Sequence, residues 1–68
     1  MPSTVIEHFT YDPEQLALKI TFRSGNVYVY KQVPEYIYEE LQIAGSKGQY
    51  FNNFIKNIYD YERLTVLP

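Results

Sequence analysis

Leu16, Leu18, Ile20 and Phe22 alternate with Ala17, Lys19, Thr21 and Arg23. Alternation of this kind puts every second side chain on one face of a strand, so the chain must build a sheet with one covered side and one wet side. The following turn, Arg23-Ser24-Gly25-Asn26, decides what joins the covered side. A two-residue loop at Ser24-Gly25 pairs Phe22 with Val27 and sends Tyr28 and Tyr30 to the face away from Ile20. A three-residue loop, Arg23-Ser24-Gly25 with the glycine left-handed, pairs Phe22 with Asn26, Ile20 with Tyr28 and Leu18 with Tyr30. The second is preferred, because it gathers Leu16, Leu18, Ile20, Phe22, Tyr28 and Tyr30 on one face and leaves Lys19, Thr21, Arg23 and Lys31 on the other.

The flanking segments complete the layout. Val5 to Tyr11 is β-branched and aromatic and reads as a first strand; Ile6 and Phe9 have opposite parity, so both reach the core only through a bulge or early bend. Asp12-Pro13-Glu14-Gln15 has the residues of a type I turn. Val33-Pro34-Glu35 opens a helix with Pro at its first position, Ile37, Leu41 and Ala44 as its buried stripe and Gly45 as its left-handed end. Ser46 with Gln49 has the form of a capping box for a last helix running toward Tyr59, whose apolar stripe is Phe51, Phe54, Ile55 and Ile58. Asp60 to Leu64 packs back onto the sheet or extends as a tail. The expected fold is α+β: a three-stranded antiparallel meander followed by two helices packed on one sheet face, as a single domain over residues 1–68.

A chain of 68 residues has a small core and a thin stability margin. It has no cysteine, so neither a disulfide nor a thiolate metal site can add to that margin. Eight tyrosines and four phenylalanines are more than such a core needs, which leaves some tyrosines as contact residues. A net charge of −2 disfavours broad electrostatic binding to nucleic acid. No apolar run approaches the roughly 18 residues of a membrane span. Met1-Pro2-Ser3-Thr4-Val5 lacks the basic and apolar regions of a signal peptide, so the expected location is cytoplasmic.

The densest polar-aromatic stretch is the last helix. Ser46, Lys47 and Gly48 stand at its start, where backbone N–H groups and the positive end of the helix dipole favour an anion such as phosphate; the alternative is a simple cap with Lys47 in water. Tyr28 and Tyr30 form either a stacking platform for bases or part of the core. Tyr36, Tyr50, Tyr59 and Tyr61 are freer aromatic candidates. Asn52, Asn53 and Asn57, with Lys56, line a polar and weakly charged helix face that either reads base edges or is solvated. Catalysis has little to build on, with His8 as the lone histidine and no nucleophile-base pair or metal-ligand spacing in view, so neither a metal nor a cofactor is expected.

Taken together, Tyr11-Asp12, Phe22 with Gly25 and Tyr28-Val29-Tyr30, Val33-Pro34 with Tyr38 and Leu41, Ala44 through Ser46-Lys47-Gly48, Phe51-Asn52, Ile55, Tyr59 and Tyr61 resemble the KTSC domain. That family is named for its place at the C-terminus of some lysyl-tRNA synthetases, and it also occurs as small free-standing bacterial and phage proteins. The resemblance implies RNA binding, through the synthetase context and the central Tyr28-Val29-Tyr30.

These readings give a non-enzymatic binding domain for a phosphate-bearing ligand, either an RNA segment or a free nucleotide. The expected site is Ser46, Lys47, Gly48, Tyr50, Asn52, Asn53, Lys56, Tyr59 and Tyr61, with Tyr28 and Tyr30. The alternative is a protein-interaction or self-assembly module with no nucleotide ligand.

Overall fold

Strand β2, Ala17–Phe22, is the centre of the molecule, with Leu18 and Ile20 fully buried and Lys19 between them exposed. The structure, a computed structural model, describes residues 6–64. Strand β1, Ile6–Asp12, pairs antiparallel with β2, and the register shifts between Ile6 and His8. This is the bulge that the parity of Ile6 and Phe9 demands, and both residues pack against the core. Val5, also expected in this strand, lies outside the described residues.

The three-residue turn is realised. The Gly25 N–H donates to the Phe22 carbonyl at 2.8 Å, the Phe22 N–H donates to the Asn26 carbonyl at 2.9 Å, and Gly25 has φ +99°, a conformation that costs a residue with a Cβ. Strand β3, Val27–Tyr30, therefore sets Tyr28 opposite Ile20 and Tyr30 opposite Leu18. The meander then gains a fourth strand. β4, Tyr61–Arg63, pairs antiparallel with β3, placing Tyr61 opposite Tyr30 and Arg63 opposite Tyr28. The sheet order is β1-β2-β3-β4.

Helices α1, Glu35–Ile43, and α2, Lys47–Phe54, lie on the aromatic face. Tyr38 of α1 stacks on Tyr11 at 5.1 Å and meets Phe9 edge-on at 5.8 Å. Phe51 of α2 packs edge-on against Phe22 and Tyr30, each at 5.4 Å. With Val33, Ile37, Leu41 and Ile55 these close one core cluster, bearing out the α+β expectation. The Tyr11 hydroxyl donates to the Val33 carbonyl at 2.6 Å, tying β1 to the approach to α1.

Four local expectations are corrected. Leu16 is not on the covered face: it closes the Asp12 turn with φ +54° and stands 43% exposed, because Asp12 pairs with Ala17 and the loop needs a left-handed residue to turn back. Pro34 is the N-cap of α1 rather than its first helical residue, with φ −65° and ψ 154°. Gly45 is not left-handed; α1 ends through an extended Ala44, because the chain must leave straight toward the next cap at Ser46. Helix α2 stops at Phe54 instead of running toward Tyr59. The Phe51 carbonyl accepts from both Ile55 and Lys56, Asn57 turns left-handed at φ +67°, and Phe54 and Ile58 are left 50% and 59% exposed. Asparagine is a weak helix former and tolerates that conformation, so the Asn-rich run ends its own helix.

Two stability outcomes follow from these contacts. Tyr11→Phe leaves the Val33 carbonyl unpaired and lowers unfolding free energy by about 1–2 kcal/mol in urea titration. Gln32, exposed at φ +57°, carries strain that glycine lacks, so Gln32→Gly raises stability by about 0.5–1 kcal/mol in the same assay.

Candidate functional site

The helices cover the β1 side of the sheet more fully than the β4 side. What they leave open at the β3–β4 end is a cleft of about 420 Å3, within the range of small-molecule sites. Its floor is Phe22, Tyr30 and Phe51. Tyr28 and Tyr61 form an aromatic wall, their rings 5.2 Å apart and 23° from parallel, and Tyr61 also leans on Tyr30 at 5.4 Å. Tyr61 is 57% exposed, so much of this side chain stays in solvent at the mouth.

The rim is polar and locally basic. Arg23 and Ser24 come from the β2–β3 turn, and Lys56 and Asn57 from the chain just beyond α2. Asn26 is held between neighbours: its amide nitrogen donates to the Ser24 hydroxyl at 3.2 Å, and its carbonyl oxygen accepts from the Arg63 guanidinium at 3.2 Å. Neither Arg23 nor Lys56 is ion-paired among the described residues; the Lys31–Glu62 pair, at 3.7 Å, joins other side chains. A chain of net charge −2 thus puts two cations, without an ion pair among the described residues, beside the Tyr28–Tyr61 wall. Burial pushes the Tyr30 phenol up to about 12, with the neighbouring Tyr61 and Tyr28 adding to it, so the floor stays uncharged through neutral pH.

The expected site residues divide among three places. Tyr28, Tyr30, Lys56 and Tyr61 converge on the cleft. Ser46, Lys47 and Gly48 form the corner between the helices. There the Ser46 hydroxyl accepts the Gln49 N–H at 3.3 Å, while the Lys47 ammonium turns back to donate to the Ala44 carbonyl at 3.4 Å. Tyr50 and Tyr59 belong to a second aromatic group between the helices. The Tyr50 hydroxyl donates to Glu40 at 2.6 Å, and burial, then that hydrogen bond, hold its phenol well above the ordinary range. Burial, with Tyr36 nearby, raises Tyr59 as well. Asn52 and Asn53 are exposed on α2. Arg23, expected on the wet face with Lys19 and Thr21, is instead on the cleft rim, because it belongs to the turn and not to the alternating strand; Ser24 and Asn26 were not foreseen as cleft residues either, although the preferred turn already set Asn26 opposite Phe22.

Among the described residues no group of three or more His, Cys, Asp or Glu is arranged to hold a metal ion, and no helix is long and apolar enough to cross a membrane. A one-sided four-stranded meander with two covering helices and an aromatic opening at one end defines a small α+β domain. The chain belongs to the KTSC domain family, whose model matches residues 2–59. It is 45% identical over 62 residues to a lysine–tRNA ligase of Nostoc punctiforme, a match that takes in 91% of this chain but only 11% of the ligase. It is 37% identical to an uncharacterized protein of Stutzerimonas stutzeri over 94% of this chain and 92% of that one. The crystal structure of a KTSC domain protein from Yersinia pestis superposes with a TM-score of 0.84 at 32% identity, covering 96% of this chain and 94% of the other.

The raised Tyr30 phenol has a consequence for stability. The unfolded chain ionises this group near the ordinary tyrosine value of 10.0 and the folded domain only near 12, so its contribution is complete below pH 10 and is lost as pH rises from there to 12. Urea midpoints measured across that window fall with rising pH, and Tyr30→Phe makes the fall shallower; an unchanged slope in the variant contradicts the assignment.

Proposed function

We propose that this domain is a non-catalytic RNA-recognition module that holds an unpaired nucleotide of a single-stranded segment in the β3–β4 cleft. The observation that carries the proposal is the juxtaposition of the stacked Tyr28–Tyr61 wall with Arg23 and Lys56, neither of which is ion-paired among the described residues. A base stacks on the exposed Tyr61 ring, as bases do on aromatic side chains whatever their identity. Its phosphate lies toward Lys56 and Arg23, and Asn57, which lines the same cleft, meets a polar base edge. The name of the relatives that carry a similar domain, lysine–tRNA ligase, supports an RNA context. His8 lies outside this set, exposed on β1 opposite Thr21, which supports a binding role rather than a chemical one. A cytoplasmic location is part of the same proposal.

Magnitudes limit what the cleft does alone. One stacked base contributes about 1–3 kcal/mol and each rim cation about 1 kcal/mol, which together give millimolar to high-micromolar affinity. Fusion to a large RNA-binding enzyme compensates by raising the local concentration of ligand. The start of α2 is the competing position for the phosphate, supported by its cap and by Lys47, whose ammonium must first leave the Ala44 carbonyl.

Titrating the isotope-labelled domain with a short mixed-sequence single-stranded RNA, then with mononucleotides, tests this reading by amide shifts. The expected result is saturable change at residues 22–28 and 56–63, lost about tenfold in Lys56→Glu and Tyr61→Ala. With two phosphate contacts, log K falls against log salt with a slope of about −1.4. Shifts confined to residues 46–50 move the phosphate to the helix start. No shift with any of these ligands overturns the proposal.

A further inference from the structure

Helix α1 carries a second stripe beside its buried one. Tyr36, Glu39, Glu40 and Ile43 recur at spacings of three, four and seven, so they share a face that excludes the buried Ile37 and Leu41. Ile43 is 83% exposed and Tyr36 is 59% exposed, so the stripe sets two large apolar side chains in solvent one turn to either side of the carboxylates. Helix α2 continues this surface. The Tyr50 hydroxyl donates to Glu40, and the Tyr50 ring lies 4.7 Å from that of Phe54, itself half-exposed. The result is an apolar patch with two carboxylates at its middle.

Charge decides what fits there. Glu35, Glu39 and Glu40 are the only charged residues of α1, and none is paired with a cation among the described residues. The Tyr50 hydrogen bond holds the Glu40 carboxylate in place through one oxygen and leaves the other to accept from an incoming donor. Phosphate is repelled by this arrangement. A two-fold contact between copies of this chain across the same face sets Glu39 and Glu40 against their own images.

We infer that the face formed by Tyr36, Glu39, Glu40, Ile43, Tyr50 and Phe54 docks a basic amphipathic protein segment, with its Lys or Arg side chains on the two carboxylates and its apolar side chains over Ile43, Tyr36 and Phe54. The arrangement combines an apolar centre with charge complementarity, which sets both affinity and choice of partner. This inference does not depend on RNA binding at the cleft, to which none of the six side chains contributes.

The test uses the whole chain and defined peptides: a helical peptide of Leu and Lys with its leucines on one face, the same composition scrambled to remove that face, and the Leu-Glu counterpart. The expected result is saturable amide change at residues 36–43 and 50–54 with the Leu-Lys amphipathic peptide alone, weakened about tenfold in the double variant Glu39→Lys with Ile43→Ser. If that variant loses its folded spectrum, Glu39→Gln alone still gives a loss of several-fold. Tyr50→Phe, which frees Glu40 but keeps the ring, weakens binding less than the double variant. Equal binding of the scrambled peptide, shifts elsewhere on the domain, unchanged affinity in the Glu39 variants, or self-association through this face without peptide each overturn the inference.

Discussion

The antiparallel pairing of β2 with β3 is the constraint on which the rest depends. Because side chains alternate, a slip of one residue there moves Tyr28 and Tyr30 from the covered face to the wet one. The left-handed Gly25 prevents the slip by allowing a three-residue turn that sets Tyr28 against Ile20 and Tyr30 against Leu18. From that register follow the aromatic floor, the seat for Phe51 and the edge on which β4 pairs. The same turn projects Arg23 and Ser24 onto the rim, so one backbone conformation positions both the apolar and the polar parts of the cleft.

A small core also explains why the cleft exists. Two short helices cannot cover four strands, and Tyr28 and Tyr61 lie where cover runs out. An aliphatic pair there would expose more unfavourable surface, whereas tyrosines keep a polar hydroxyl in water and a flat ring available for contact. The cost of the opening is offset within the sheet: Tyr61 packs on both Tyr28 and Tyr30, and backbone bonds from Leu64 to Val27 and from Lys31 to Asp60 extend the β3–β4 ladder at each end.

What could be read from the chain was what local alternation and turn chemistry determine. The central strand, the register of Tyr28 and Tyr30, the bulge before Phe9, the two helices and the Ser46 cap were all legible. Leu16 was misplaced because the turn from Asp12 requires a left-handed residue there, a demand that outweighs hydrophobic alternation. The end of α2 was misplaced because Phe54 and Ile58 continue a helical pattern that Asn57 breaks by its backbone conformation. The tyrosines of the cleft were visible, but Asn26 is held in place by a long-range contact, since Arg63 reaches it only after β4 has docked. Lys47 and Lys56 are hard to tell apart in a sequence. The fold leaves Lys56 on the cleft rim and turns Lys47 back onto the preceding helix.

The central claim is that the uncovered aromatic end of the sheet is where a nucleotide sits. Photo-crosslinking with a short RNA carrying a thiolated uridine, followed by mass spectrometric mapping of the modified residue, tests it most directly. Crosslinks at Tyr61 or Tyr28, competed away by unmodified RNA, are the expected result. Crosslinks that map to residues 46–50, or none above background, contradict it.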